Sequence, residues 1–211
     1  MGTINKGILG PFSGTVGTVI GGTWNGIPYM RSKPGPRKGA ASAKQVEQHA
    51  RFALMVKYLQ PMAGLFALSF RDSAARMSGF NIAVRYNMGS ALTGAYPDFA
   101  VDPTQVLVSR GPLPAMQAPA AASAVAGQIG FSWKNNAGSG NSSADDKAIL
   151  VAYSSELHQV VFTTAGAARS AQADTLTTPE FSGKKVDTYV AFLAADGRVS
   201  NSVYTGAVTV L

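Results

Sequence analysis

The chain has 211 residues, of which 46% are hydrophobic and 14% are charged, and its net charge is +7. This composition excludes wholesale disorder, and a chain of this length can bury one large core or two small ones. It contains no cysteine, which excludes disulfides, thiolate metal sites and a cysteine nucleophile.

The charge is divided by position along the chain. Residues 1–100 contain 11 Lys and Arg against 3 Asp and Glu, whereas residues 101–211 contain 7 against 8. The net charge therefore changes from +8 to −1, and we expect two regions with different roles. The low charged fraction also indicates that partners cover part of the surface, because a soluble chain usually has about a quarter of its residues charged.

Residues 1–41 are predicted to form a glycine-rich, extended or β-type arm followed by a basic linker. Seven glycines lie between residues 2 and 22, with β-branched and apolar residues between them. Glycine has no side chain to pack, so such a segment gains most of its order from what it lies against. We expect the arm to mediate assembly through its apolar residues, which are Ile8, Phe12, Val16, Val19, Ile20 and Trp24.

A basic run overlaps the end of the arm, and Pro34 and Pro36 interrupt it. Its cations could neutralise phosphates while nearby aromatic rings stack on bases. They could equally contact an acidic protein surface, which we favour, or form a solvated linker. The candidate partner-binding residues are Arg31, Lys33, Arg37, Lys38, Lys44 and Arg51.

Residues 42–102 have the spacing of three helices. Ser42 and Gln45 form a plausible capping box for the first helix, and Pro61 suits the first turn of the second. Gly79 separates the third helix, which is expected to end near residue 93. These helices are predicted to pack on one another or on the arm.

From about residue 104 the hydrophobic period changes to two, which is typical of strands. Asp196-Gly197 between apolar runs is a strong hairpin signal. About seven strands in about 105 residues is the size of an immunoglobulin-like or fibronectin-type-III-like sandwich. The sequence thus predicts an α+β fold in which residues 103–211 form a β-sandwich able to fold alone, with Trp133 and Tyr189 as core or corner residues.

No motif for catalysis or cofactor binding is apparent. The two histidines, His49 and His158, lie in different regions, and no Ser-His-Asp arrangement can be argued from spacing. The glycine-rich opening lacks the Gly-Lys-Ser/Thr ending of a phosphate loop. We therefore expect a protein that is not an enzyme and has no metal, cofactor or small-molecule substrate.

The N-terminus lacks the apolar run of a signal peptide, and no apolar stretch of 18 residues is present. We expect no membrane-spanning segment and a location in a virion or in the cytoplasm.

Several segments together resemble an uncharacterised protein family of Bacteroidota. The most specific is the opening GILGPFSGTVGTVIG of residues 7–21, which runs into Trp24-Asn25-Gly26-Ile27 and Tyr29-Met30-Arg31-Ser32. Later pieces are Val106-Leu107-Val108-Ser109-Arg110-Gly111 and the end of the predicted sandwich, residues 189–206. The family is a domain of unknown function, so the resemblance implies a glycine-rich arm and an immunoglobulin-like region but no catalytic residues.

These features favour a non-enzymatic structural or assembly protein that works in many copies. A phage virion component, such as a minor capsid, decoration or tail protein, or a subunit of a similar particle or filament, fits the glycine-rich arm, the low charge and the sandwich. Its partners would be further copies of itself or other assembly subunits. The alternative is a nucleic-acid-binding protein that uses the basic N-terminal half.

Overall fold

The structure, a computed structural model, describes residues 2–4, 10–24, 26–36, 39–71 and 77–211. The chain divides into two compact units, Met1–Ser42 and Ala43–Leu211.

The first unit is a four-stranded antiparallel sheet, which we call the meander. Tight turns join its last three strands, and Gly17 and Gly26 in these turns have φ angles of +58° and +79°. Glycine adopts such positive φ angles without strain, and Asn-Gly is a preferred two-residue hairpin loop. The strands lie in chain order and are β1 (Thr3–Ile4), β2 (Phe12–Val16), β3 (Val19–Trp24) and β4 (Ile27–Ser32).

One glycine of the meander allows a close approach of the backbone. A Cβ atom at Gly21 would lie 2.2 Å from the carbonyl oxygen of Phe12 and 2.7 Å from its ring. No side chain fits there, so the glycine content that weakens the strands also lets Phe12 cover the centre of the sheet.

The second unit begins with helices. They are α1 (Ala43–Leu59), α2 (Ala63–Ser69) and α3 (Gly79–Ser90), and one 3₁₀ turn, Gln60–Met62, joins the first two. The sequence predicted a new helix at Pro61. The proline instead lies in the first turn of the 3₁₀ segment, where its missing N–H costs nothing, so α1 and α2 form a nearly continuous helical run.

This run, Ala43–Ser69, is the one helix in the described part of the chain that is long and apolar enough to cross a membrane by length and composition. Several of its apolar residues belong to the core of the second unit, where Met55, Leu59 and Phe66 are fully buried.

A short ribbon, β5 (Leu92–Thr93) with β6 (Ala100–Val101), leads from the helices to the sandwich. The sandwich has two antiparallel sheets. One has the order β11-β8-β7 and the other β10-β9-β12-β13. Three strands facing four in this arrangement form an immunoglobulin-like sandwich, which confirms the predicted β-sandwich. Its strands are β7 (Gln117–Ala122), β8 (Gln128–Lys134), β9 (Lys147–Ser154), β10 (Gln159–Thr163), β11 (Ala173–Thr177), β12 (Lys185–Leu193) and β13 (Val203–Thr209).

The burial of each strand shows how the layers are stacked. In β8, buried and exposed residues alternate, because one face of its sheet meets solvent. In β9, every residue from Ala148 to Ser154 is buried. Ala148, Leu150 and Ala152 face the three-stranded sheet, whereas Ile149 and Val151 share a core with the helices. The four-stranded sheet is therefore the middle layer of three.

The layers include residues from both predicted regions, 42–102 and 103–211. The two regions share one hydrophobic core that contains Met55 and Phe66 from the helices and Tyr153 and Tyr189 from the sandwich. Whether residues 103–211 fold alone is not tested by the structure. Because the core is shared with the helices, we now expect the isolated fragment to expose apolar residues.

Candidate assembly surface

The meander exposes more apolar surface than its size would lead one to expect. Sheets of this kind normally bury at least one face against a second layer. Here the exposed fraction reaches 71% for Met30. Clustered exposed apolar residues mark interaction sites. The large exposed hydrophobic residues of the meander are Ile4, Val16, Trp24, Ile27, Tyr29 and Met30.

Strand register sorts these side chains onto two faces. Directly opposite residues of an antiparallel pair project to the same side of the sheet. Trp24 lies opposite Ile27, Gly22 opposite Tyr29, and Ile20 opposite Arg31. We call the side formed by Ile20, Trp24, Ile27, Tyr29 and Arg31 the aromatic face.

The other side carries no charged residue in its described part, and we call it the uncharged face. Ile4 lies opposite Phe12, Val16 opposite Val19, and Gly21 opposite Met30. A shallow cavity of about 350 Å³ opens beside Phe12 and Met30. Its lining residues are Gly10, Pro11, Phe12, Pro28, Tyr29 and Met30.

The predicted assembly residues are thus divided between the two faces. Phe12, Val16 and Val19 belong to the uncharged face, Ile20 and Trp24 belong to the aromatic face, and Ile8 lies outside the described residues. The set missed the exposed side chains of β4, which are Ile27, Tyr29 and Met30. The Asn-Gly turn was the signal that could have found them, because it makes β4 the hairpin partner of β3.

The predicted basic residues are divided as well. Arg31 and Lys33 are exposed in the first unit, and within the described part of the chain neither forms an ion pair. Lys44 is exposed on α1 of the second unit. Arg51, also on α1, is half-buried with its guanidinium 5.4 Å from the centre of the Phe99 ring, so it is partly engaged within that unit. Arg37 and Lys38 lie outside the described residues.

The first unit is also free of negative charge. Residues 1–42 contain five Lys and Arg and no Asp or Glu. Its cations therefore have no carboxylate within their own unit, and the unit carries a uniformly positive field that attracts acidic partners.

Strongly perturbed titrating groups occur elsewhere, where α1 packs on the four-stranded sheet. The hydroxyl groups of Tyr58 and Tyr189 lie 3.2 Å apart, and Tyr204 donates a hydrogen bond of 2.9 Å to Asp187. Burial raises the pKa of Asp187 and raises that of Tyr204 to about 12. Tyr58 and Tyr189 are buried and their pKa values are raised for the same reason. The contact between Tyr58 and Tyr189 joins α1 to the sheet, whereas the hydrogen bond between Tyr204 and Asp187 lies within the sheet.

The residues that the structure describes include no cluster of three or more His, Asp or Glu side chains that could hold a metal ion.

The fold defines an α+β protein, mostly β, built on an immunoglobulin-like sandwich. The chain belongs to the family of unknown function DUF6266, whose family model matches residues 11–206. The predicted membership in an uncharacterised family is thus confirmed.

No curated protein matches the chain significantly. Among solved structures, the chain is similar to the solution structure of the fn3 domain of human collagen alpha-1(XX) chain. The identity is 18% and the TM-score 0.34, and the match covers 46% of this chain and 87% of that chain.

Proposed function

We propose that the chain is a non-enzymatic structural subunit that assembles in many copies through its meander. The observation that carries this proposal is the exposed apolar side chains on both faces of a small, acid-free sheet. Apolar surface left in water forgoes about 25 cal/mol for each Å² that could be buried. By contrast, the second unit buries most of its large apolar residues in two cores of its own.

The size of the meander supports assembly in many copies. The meander has three strands of five or six residues and one of two. At about 3.3 Å per residue and about 4.8 Å between strands, each face has an area of roughly 300 Å². A standard protein interface buries about 800 Å² on each partner. One face therefore supplies less than half of a stable interface, so each contact is weak and an array must add many of them.

The edge of the meander favours contact through the faces. The outer strand β4 contains Pro28, which has no N–H to donate to an added strand. A second copy would therefore pack on a face of the sheet more readily than extend it at this edge.

We further propose that the assembly is a phage virion, with the chain as a minor capsid, decoration or tail protein, or a similar particle or filament. The glycine-rich arm, the low charged fraction and the immunoglobulin-like module support this role. The opening motif suggests a host among the Bacteroidota, and the expected location is the virion or the cytoplasm. Mass spectrometry of purified particles would detect the chain in many copies per particle, and its absence from them would contradict the virion role.

The assembly surface can be tested with serine substitutions. Ile4→Ser, Val16→Ser and Met30→Ser together remove the exposed apolar groups of the uncharged face. Size-exclusion chromatography with light scattering should show smaller species than the wild type forms. The matched control is Val125→Ser with Leu157→Ser, since both residues are exposed in the second unit, at 57% and 37%. Equal sizes for both variants and the wild type would contradict assembly through this face.

Nucleic-acid binding by the basic N-terminal half is the second candidate function. The specific observation in its favour is the arrangement of rings and cations on the aromatic face.

A further inference from the structure

The aromatic face carries a ring that lies flat on the backbone. A Cβ atom placed on Gly22 would be 3.1 Å, 3.2 Å and 3.4 Å from Oη, Cζ and Cε1 of Tyr29. Two ring atoms and the hydroxyl oxygen in the plane of the ring lie at nearly equal distances from one point, so this end of the Tyr29 ring covers Gly22. Tyr29 is nevertheless 44% exposed, so its outer ring face is open.

A second exposed aromatic ring stands beside it. Trp24 is a diagonal neighbour of Tyr29 across β3 and β4, a relation that places Cβ atoms about 7 Å apart. Trp24 is 51% exposed. The two rings are therefore far enough apart to accept one planar group each.

Cations continue the same row. Arg31 follows Tyr29 by two residues, about 6.6 Å along the strand and on the same face. Lys33 follows by two more, and its backbone N–H donates a hydrogen bond of 2.7 Å to the Thr18 carbonyl, which extends the pairing of β4 with β3. No carboxylate in residues 1–42 competes for either cation.

We propose that the aromatic face binds single-stranded DNA or RNA, with bases stacked on Trp24 and Tyr29 and phosphates against Arg31 and Lys33. Single-strand binding proteins combine open aromatic rings with a cationic track, and some RNA-binding sheets stack bases on exposed aromatic residues of their strands. An acidic protein would satisfy the cations, but flat rings with an open face match planar bases better. Duplex bases are already stacked on one another and are not free for the rings. This inference rests on the second candidate function and names its ligand as single-stranded nucleic acid. It uses the aromatic face, whereas the serine substitutions that test assembly lie on the uncharged face.

The chain contains a built-in probe for this binding. It has only two tryptophans, and Trp133 is 4% exposed whereas Trp24 is 51% exposed. Titration of the full chain with a thymidine 20-mer at low salt should quench the fluorescence of Trp24 as bases stack on it. The logarithm of the binding constant should fall linearly with the logarithm of the salt concentration, by about 0.7 for each phosphate neutralised.

Three variants separate stacking from charge. Tyr29→Ala should weaken binding by about 5-fold or more, since one base–aromatic stack is lost, and Tyr29→Phe should retain it. Arg31→Ser should lower the salt slope by about 0.7. The matched control is Tyr96→Ala, because Tyr96 is a tyrosine of similar exposure, 52%, that lies in the second unit. This control should change the binding constant for the 20-mer by less than about 2-fold, because no base–aromatic stack is lost.

Light scattering on the same samples distinguishes loss of assembly from loss of binding. A variant that assembles normally but binds poorly bears on this inference alone. The inference is overturned if Trp24 is not quenched, if Tyr96→Ala weakens binding as much as Tyr29→Ala, or if duplex DNA binds equally well. A competition with polyglutamate of equal length gives one more test. If polyglutamate displaces the 20-mer, and if polyglutamate alone binds without changing the fluorescence of Trp24, the inference is overturned and an acidic protein partner is indicated.

Discussion

Replacement of Asp146 by alanine should be among the most damaging substitutions in the sandwich. Arg169 and Asp146 are both buried, at 0% and 2% exposure, and Arg169 Nη2 lies 3.0 Å from Asp146 Oδ2. The guanidinium also donates to the carbonyl of Pro114 at 3.3 Å and lies 3.7 Å from the centre of the Phe192 ring. Asn136 accepts a further hydrogen bond from Nη1.

The cost of the substitution follows from what it leaves behind. Asp146→Ala keeps the Arg169 charge in the interior and removes its only ion-pair partner among the described residues. Leaving one member of a buried pair without its partner costs about 3–5 kcal/mol. For a chain of this size, about 1 kcal/mol corresponds to a shift of roughly 2–4 °C in the unfolding midpoint, so Asp146→Ala should lower it by roughly 6–20 °C.

Thermal unfolding followed by near-ultraviolet circular dichroism measures this shift. The control is the double substitution Asp146→Ala with Arg169→Met, which removes the stranded charge and keeps most of the apolar volume. Since apolar replacement of a whole buried pair is often neutral, the double variant should recover part of the loss. A shift below about 2 °C for Asp146→Ala would refute the reasoning, because the charge would then have found water or another partner.

Other predictions concern the meander, the helix–sheet contact and the fragment 103–211. Gly21→Ala should loosen the meander, because the new methyl group would lie 2.2 Å from the Phe12 carbonyl oxygen; faster amide hydrogen exchange in β2 and β3 would show it, and unchanged exchange would contradict it. Burial raises the pKa of Asp187, so its ionisation lowers stability as the pH rises from about 4 through the raised pKa. Asp187→Asn should therefore flatten the dependence of the unfolding free energy on pH in that window, and an unaltered pH profile would contradict this. The fragment 103–211 should bind hydrophobic dyes and aggregate, because loss of the helices uncovers Ile149 and Val151, and a cooperative, monomeric fragment would show instead that the sandwich folds alone.

Much of the sandwich could be predicted from local sequence patterns. The alternation in β8 places Ile129, Phe131 and Trp133 on one side, and Asp196-Gly197 separates two apolar runs. Both signals are local, because strand alternation and hairpin turns each depend on residues that are close together in the sequence.

The stacking of the layers was harder to predict. The run Ala148–Ser154 contains almost no polar residue, which is the mark of a strand buried on both faces, but in a simple two-sheet sandwich each sheet is covered on one face only. Its second cover includes α1, whose Tyr58 packs on Tyr153 although the two residues are 95 positions apart, and no local sequence pattern indicates such a contact.

The same limit applies to the candidate site and to the buried charge. The assembly residues were identified as apolar but not as two faces, because the faces depend on which residues of β3 and β4 stand opposite each other. Arg169 resembled an ordinary surface cation in the sequence, since Asp146 and Pro114 lie 23 and 55 residues away from it.

Light scattering on two chains tests most directly whether the meander drives assembly. The full-length protein and a chain that begins at Ala43 differ by the first compact unit. Assembly through the meander predicts that the full-length protein forms species of several copies that grow with concentration, while the shorter chain is a folded monomer. A monomeric full-length protein, together with a shorter chain that is unfolded or aggregated, would contradict it and show that the meander completes the fold of a single chain.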